Sequence, residues 1–162
     1  MASGQRINTD NIGALASGKQ LNEDDAKQAI PFKICLVGNA AVGKSCIVDR
    51  YINDNFANNS AATLSAEFFT KVLTVSPPGY PPAKIKMQIW DTAGAEQYRS
   101  LTKLYYQKAA VVILVYSMND YESLDQLSHW AQEVEENAHK NTIKIVVCAK
   151  SDNVEDDEVV PK

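Results

Sequence analysis

The stretch GNAAVGKS, residues 38–45, restricts the possible folds of this chain more than any other feature. It fits the pattern G-x-x-x-x-G-K-[S/T]. The apolar run FKICLVG precedes it, and a segment that suits a helix follows it at 44–54. This order of strand, glycine-containing loop and helix is typical of a loop whose backbone N–H groups surround phosphate oxygens. The sequence therefore predicts a phosphate-binding loop at this junction.

The residue types in the loop suit contact with a nucleotide. Gly38 and Gly43 permit the tight turns that aim backbone N–H groups at phosphate oxygens. Lys44 can reach the β- and γ-phosphates, and the hydroxyl of Ser45 can ligate Mg²⁺. We therefore expect the chain to bind a nucleoside phosphate together with Mg²⁺.

A second chemical signal lies where another apolar strand ends. Asp91 follows the run IKMQIW, and a carboxylate that leaves a buried strand beside a phosphate-binding loop holds Mg²⁺ directly or through water. Gly94 would then offer its backbone N–H to the γ-phosphate, where a side chain would hinder close approach. A carboxylate at a strand end is usually just a cap, so this assignment depends on the loop at 38–45.

The hydrophobic pattern predicts strands that alternate with helices. Short apolar or alternating runs predict strands at 32–38, 67–75, 84–90, 109–117 and 142–150, and we expect the first and the last two to be buried. Residues 44–54 suit one helix. A second apolar stripe of helical spacing comprises Leu124, Leu127, Ala131, Val134 and Ala138. This alternation predicts an α/β fold with a mostly parallel sheet.

The segment SPPGYPPA, residues 76–83, joins two of these strands. Its four prolines lack the N–H that a strand ladder needs, so the segment can only be a loop. The strands at 67–75 and 84–90 are therefore expected to form an antiparallel hairpin with a long, stiff tip.

Composition disfavours several classes of protein. The net charge of −4 provides no broad basic field for nucleic acid or an anionic membrane. No stretch approaches the roughly 18 apolar residues of a membrane span. The three cysteines, an odd number, suit a reducing compartment better than a disulfide framework. We expect a cytoplasmic protein with no nucleic-acid partner and no direct membrane anchor in this chain.

The N-terminal residues 1–30 differ in composition from the rest. They are rich in small and polar residues and contain no aromatic residue, which predicts a flexible extension. The alternative is a short helix from Asn22 to Ile30, with Asn22 as its cap and two aspartates in its first turn. In either case the folded domain is expected to span residues 31–162.

Four stretches carry a family resemblance: GNAAVGKSC, WDTAGAEQYRSLTKLYY, VVILVYSMNDYESLDQLSHW and CAKSD. Together they resemble a Ras-superfamily small GTPase, and most of all the Rab family, from about Pro31 to Asp152. Trp90 before DTAG, the YRSL…YY stretch and the aromatic Phe68 are typical of Rab proteins. Ala41 with the AEF segment leans towards the endosomal branch. The resemblance implies a small G domain, with a mostly parallel sheet flanked by helices and one antiparallel hairpin.

The resemblance also implies a site for GTP or GDP with Mg²⁺. The nucleotide would contact Gly38, Asn39, Ala40, Ala41, Val42, Gly43, Lys44, Ser45, Cys46, Thr63, Gly94, Lys150 and Asp152, and Mg²⁺ would be held by Ser45, Thr63 and Asp91. Thr63 would close on the metal and the γ-phosphate. Lys150 would stack along the base, and Asp152 would accept the N–H groups of guanine. Without a nucleotide role, Thr63 would be an ordinary threonine of a surface loop, and Lys150 and Asp152 would be charged residues at the end of a strand.

Switch regions follow from the same resemblance. Residues 94–105 would be switch II, ordered only by the triphosphate. Phe56 lies near the start of switch I, where the family often has an aromatic residue by the guanine. Effector and regulator proteins would bind through these switches. The implied function is a guanine-nucleotide-binding switch in vesicle trafficking, at the cytosolic face of endomembranes in a full-length form.

Two residues depart from the family pattern. Ala95 stands where the family has the glutamine that orients the attacking water, and its methyl group cannot hydrogen-bond to that water. We therefore expect slow GTP hydrolysis and assign no catalytic residue. Ala149 stands where the N-K-x-D motif has asparagine, and this loss removes about 1–3 kcal/mol, or about 10–100-fold in affinity.

The sequence ends at EDDEVVPK, before the family's last helices, last strand, Ser-Ala-Lys loop and lipidated tail. Without the final helix, we expect an apolar patch on the sheet, which the N-terminal arm or a larger protein assembly would cover.

Three interpretations follow from the sequence. The favoured one is a Rab-like GTPase switch with slow hydrolysis. The second is a degenerate GTPase-fold scaffold subunit of a larger assembly, with structural or no nucleotide. The third is another nucleotide chemistry, such as a small ATPase or kinase, which the DTAG and KSD contexts disfavour.

Overall fold

The computed structural model describes residues 29–56, 63, 66–93 and 105–152. The elements in chain order are β1 (Ile30–Val37), α1 (Lys44–Asn53), β2 (Glu67–Val75), β3 (Ala83–Asp91), β4 (Val111–Ser117), α2 (Tyr121–Asp125), α3 (Leu127–Asn137) and β5 (Ile143–Ala149). All five predicted strands and the helix after the loop are present, so the predicted α/β fold is confirmed.

These residues belong to two compact units. The described part of the first is residues 29–31 and 72–86, which includes the loop between β2 and β3. The second contains the helices, β4, β5, most of β1 and the candidate site. The short helix proposed for Asn22–Ile30 lies outside the described residues except at its end, where Ile30 begins β1.

The five strands form one sheet in the order β2-β3-β1-β4-β5. The strands β1 and β4 pair in parallel with Cys35 opposite Val112, and β4 and β5 pair in parallel with Ser117 opposite Ala149. The neighbours β2 and β3, joined by the loop 76–82, are the predicted hairpin. Parallel pairing brings the carboxyl ends of β1, β4 and β5 to the same edge of the sheet.

Side chains of β1 alternate between two hydrophobic cores. Cys35 and Val37 belong to one core, which contains Trp130 of α3. Leu36 belongs to the other, which contains Val48 of α1. Because helices cover both faces, β1 carries a continuous apolar run at its C-terminal half rather than an alternating one.

The apolar stripe at 124–138 is divided between two helices. Asp120 caps α2, since its carboxylate accepts a hydrogen bond from the Ser123 backbone N–H at 3.2 Å. Gln126 separates α2 from α3 in a turn. The face of α3 that meets the sheet is centred on Trp130 and Val134, which are 1% and 0% exposed.

The expectation that β5 is buried is wrong for most of its length. Ile143 and Val146 are each 57% exposed, and Ile145 is 43% exposed. β5 is the last strand in the described sheet, so its outer edge has no neighbouring strand in this part of the chain. The burial increases towards Ala149, where the strand reaches the phosphate-binding loop.

Gly38 continues β1 directly opposite β4. A Cβ atom there would lie 2.1 Å from the carbonyl oxygen of Val115, and the φ of Gly38 is +142°. We expect Gly38→Ala to lower the free energy of unfolding by about 3 kcal/mol or more, because backbone must move to admit the methyl group. Chemical denaturation measures this loss.

Gly79 provides the matched control. Its φ is +80°, but a Cβ would meet nothing within 4 Å. Gly79→Ala should therefore cost only about 1 kcal/mol of backbone strain. Equal losses from the two substitutions would contradict the close approach at Gly38.

Candidate functional site

The loop after β1 has the backbone conformation of an anion-binding nest. Its residues Gly38, Ala41 and Gly43 have φ values of 142°, 59° and 109°. Gly43 is the N-cap of α1 and makes no side-chain cap, and the first turn of α1 has no acidic residue. The first N–H groups of a helix have no carbonyl partner within the helix, and no side chain of this helix neutralises the positive end of its dipole, which favours an anion at this position.

Lys44 is held inside the loop. Its side chain is 5% exposed, and its Nζ donates hydrogen bonds to the carbonyl oxygens of Gly38 at 2.9 Å and Asn39 at 2.8 Å. Burial lowers the pKa of Lys44 from 10.5 to about 8, with the Asp91 carboxylate acting in the opposite direction. A bound phosphate would supply the negative charge that this buried ammonium lacks.

Asp91, at the end of β3, is 1% exposed. Neither of its carboxylate oxygens has a hydrogen-bond partner in the described part of the chain. Burial raises its pKa, while the nearby Ser45 hydroxyl and Lys44 ammonium lower it. The Ser45 hydroxyl is instead hydrogen-bonded to Thr63 Oγ1 at 2.8 Å. The carboxylate is therefore buried at a cost that a cation would offset.

These donors fit the Mg²⁺ that the sequence predicts. Mg²⁺ takes hard oxygen ligands, usually one or two protein groups together with water and phosphate. Two neighbouring hydroxyls, from Ser45 and Thr63, and the unpartnered carboxylate of Asp91 supply that chemistry. Among the described residues no cluster of three or more His, Cys, Asp and Glu side chains offers a different kind of metal site.

The carboxyl end of β5 lies against the same loop. A Cβ on Gly43 would lie 3.6 Å from the Cβ of Ala149, so the side chain at 149 faces the loop. The Ala149 carbonyl accepts a hydrogen bond from the Met118 N–H at 2.8 Å. Lys150 and Asp152 follow and are exposed, and Lys150 has a φ of +59°. Their contact with a base stays a prediction.

Trp130 was not identified as a site residue from the sequence. Its indole N–H donates to the Asn39 side-chain oxygen at 2.8 Å, which connects α3 to the phosphate-binding loop. The Asn39 backbone carbonyl in turn accepts from Lys44. The available signal was position 130, three residues after Leu127 and thus on the buried side of the stripe.

Three aromatic residues of the Rab-like stretches come together in the structure. The ring centroids of Phe68 and Trp90 lie 4.8 Å apart, and those of Trp90 and Tyr105 lie 5.4 Å apart. The Lys33 ammonium lies 5.2 Å from the Trp90 ring. Phe68 is 48% exposed, so the cluster presents apolar surface to solvent.

Some predicted site residues cannot be placed. Gly94 and Ala95, with most of the predicted switch II, lie outside the described residues. Phe56 is described and is 59% exposed, and no described contact links it to the loop.

Within the described part of the chain, no helix combines the length and apolar character that crossing a membrane requires. Cys35, Cys46 and Cys148 form no disulfide in the described part of the chain.

Comparison with known proteins identifies the class. The family model described as the Ras family matches residues 33–162. The chain therefore belongs to the Ras family, and it is Rab-like. It is 38% identical to Ras-related protein RABA4b of Arabidopsis thaliana over 91% of its own length and 63% of that protein.

Two further relatives agree with this placement. Ras-related protein Rab-30 of Homo sapiens is 40% identical over 79% of this chain and 61% of its own length. GTP-binding protein YPTM2 of Zea mays is 39% identical over 75% of this chain and 57% of its own length. The chain thus spans about three fifths of the length of the curated relatives it matches.

The lowered pKa of Lys44 predicts a pH effect on stability. Between pH 8 and 10.5 the folded, nucleotide-free chain binds fewer protons at Lys44 than the unfolded chain. Its stability should therefore rise with pH across this window, by about 3 kcal/mol in total from this group. We expect the unfolding free energy of the unchanged chain to rise relative to that of Lys44→Met in parallel denaturation series. Parallel pH curves for the two proteins would contradict the buried ammonium.

Proposed function

We propose that the chain is the guanine-nucleotide-binding domain of a Rab-like small GTPase and works as a switch in membrane trafficking. The observation that carries the proposal is the buried carboxylate of Asp91, without a hydrogen-bond partner among the described residues, near Lys44 and Ser45. Burying a carboxylate without a hydrogen-bond partner lowers the stability of the fold, so its presence points to a bound ligand. Membership in the Ras family and a relative named for GTP binding support the same function.

Each residue of the site has a part in binding. The N–H groups at the start of α1 and the loop nest would receive the phosphates, and Lys44 would neutralise their charge. Ser45, Thr63 and Asp91 would hold Mg²⁺, which when bound neutralises charge on the phosphate oxygens. Trp130 fixes the Asn39 side chain and so keeps the loop in its receiving conformation.

Guanine selectivity would rest on Asp152. Its carboxylate matches the two N–H donors of the guanine edge, which adenine lacks. The asparagine that would brace this region is replaced by Ala149, whose methyl group faces the loop at Gly43 without a polar atom. We therefore propose that the chain prefers GTP to ATP by a smaller margin than a relative with an intact motif.

Slow hydrolysis is the second part of the proposal. The site supplies charge stabilisation through Lys44 and the metal ligands, but Ala95 offers no group to position water. Ala40 in the loop would further crowd an arginine supplied by a partner. The loaded domain would then remain in the triphosphate state and engage effectors and regulators. The partly exposed aromatic cluster of Phe68, Trp90 and Tyr105 offers rigid apolar surface, mainly at Phe68, of the type that protein partners bind.

The alternative of a degenerate scaffold subunit has its own support. The exposed apolar side chains of β5 suit coverage by a larger assembly, and Ala149 weakens the nucleotide site. The buried Lys44 and Asp91 favour the switch, because a scaffold that had lost its nucleotide would gain stability by losing these charges.

Nucleotide binding should depend on Lys44. We expect Lys44→Ala to weaken binding of a fluorescent GTP analogue by about 100-fold or more in a titration with Mg²⁺. The substitution removes the buried ammonium that would neutralise the charge of the phosphates. Lys140→Ala, at an exposed lysine, should bind as the unchanged chain does. Unchanged binding by Lys44→Ala would contradict the site, and equal competition by ATP would contradict its guanine preference.

Hydrolysis should depend on residue 95. Under single-turnover conditions we expect Ala95→Gln to hydrolyse bound GTP about tenfold or more faster than the unchanged chain, because the amide can orient the attacking water. The affinity for GTP, measured alongside, should stay the same. If both proteins hydrolyse GTP quickly at equal rates, another residue positions the water and the role given to Ala95 is wrong.

A further inference from the structure

The loop between β2 and β3 presents a tyrosine on a proline-braced turn. The Tyr80 backbone N–H donates to the Pro77 carbonyl oxygen at 3.1 Å, and Gly79 has a φ of +80°. The ring of Pro78, the residue before Gly79, fixes the φ of Pro78 near −65°. A hydrogen bond of this type with positive φ only at the third residue defines a type II turn.

This turn is fully available to solvent. All residues from 76 to 82 are exposed. Tyr80 is 75% exposed, the largest value among the exposed large hydrophobic side chains of the described residues. Prolines occupy four of these seven positions and leave few backbone donors to satisfy. The proposed nucleotide site uses none of these residues, so a GTPase switch does not account for them.

The sequence here is Pro-Pro-Gly-Tyr-Pro-Pro, residues 77–82. Proline pairs favour the polyproline II conformation, which aromatic-lined grooves of small domains recognise without a large loss of entropy. The second position of a type II turn, here Pro78, has dihedral angles close to polyproline II. Pro77 is restricted to the same region because a proline follows it, so both residues are already arranged for such a groove. Tyr80 follows the pair by one residue and adds a flat ring with a hydroxyl for a second pocket.

We propose that this loop is a docking site for a protein domain of the WW type, which binds the order Pro-Pro-x-Tyr in a groove lined with aromatic residues. Proline rings would stack in the groove, and Tyr80 would enter the adjoining pocket. The tyrosine and the absence of any basic residue from 76 to 82 favour this partner over a domain of the SH3 type. The strands β2 and β3 hold both ends of the loop, which lowers the ordering cost of binding.

Glycine at position 79 lets the loop adapt to the groove. A side chain there would meet nothing within 4 Å, so the φ of +80°, and not a lack of space, requires the glycine. Its freedom at positive and negative φ allows the turn to open on contact while the two prolines keep their conformation. The loop thus combines a rigid proline pair with one adjustable joint before the tyrosine.

Titration calorimetry of the full chain with a purified WW domain of Pro-Pro-x-Tyr specificity tests the proposal. We expect saturable one-to-one binding that Tyr80→Ala weakens by about tenfold or more, with a similar loss for Pro78→Ala. An SH3 domain titrated in parallel should bind at least about tenfold more weakly than the WW domain. Thermal melts of the variants should match the unchanged chain, since both side chains are exposed.

Tyr121→Ala is the matched control, because Tyr121 is a 68% exposed tyrosine outside the loop. It should bind the WW domain as the unchanged chain does. The proposal is overturned by the absence of binding, by equal binding of Tyr80→Ala and the unchanged chain, by an equal loss with Tyr121→Ala, or by tighter binding of the SH3 domain.

Discussion

The close approach of the phosphate-binding loop to β4 sets the geometry of the site. Gly38 continues β1 beside Val115, with no room for a side chain between them. The Thr92 hydroxyl donates to the Leu36 carbonyl oxygen at 2.7 Å in the interior, which fixes the chain just after Asp91 against β1. The carboxylate, the lysine and the loop therefore occupy one small region at the carboxyl ends of the strands, where ligands of open α/β sheets bind.

This arrangement costs stability in the absence of a ligand. An ammonium and a carboxylate are both buried, and the carboxylate has no hydrogen-bond partner among the described residues. Burial favours the neutral form of each group, so it lowers the pKa of Lys44 and raises the pKa of Asp91. Phosphate and Mg²⁺ would supply the missing opposite charges, so that ligand binding and folding stability are linked. The free energy that burial of these charges costs the ligand-free chain is recovered when phosphate and Mg²⁺ bind, and it therefore contributes to their affinity.

Local sequence predicted the parts of the structure that local chemistry determines. The loop GNAAVGKS, the buried runs of β1 and β4 and the hairpin around its prolines are each specified by neighbouring residues, and each is present. The hydrogen bond between Trp130 and Asn39 joins residues that are 91 positions apart in the sequence, so no local sequence pattern predicts it. The exposure of β5 depends on its place in the sheet, which its apolar sequence does not encode. The Ser45 and Thr63 hydroxyls are hydrogen-bonded to each other. The roles given to Thr63, Gly94, Ala95, Lys150 and Asp152 stay predictions.

The nucleotide that accompanies the purified protein tests the central claim most directly. The chain is purified with Mg²⁺ present and then denatured, and the released small molecules are separated by chromatography. The proposed guanine-selective site predicts close to one equivalent of GTP or GDP. The proposed slow hydrolysis predicts that GTP is in excess of GDP. An adenine nucleotide would contradict the guanine assignment. A stably folded chain that releases no nucleotide would contradict the account of Lys44 and Asp91 as a nucleotide and Mg²⁺ site.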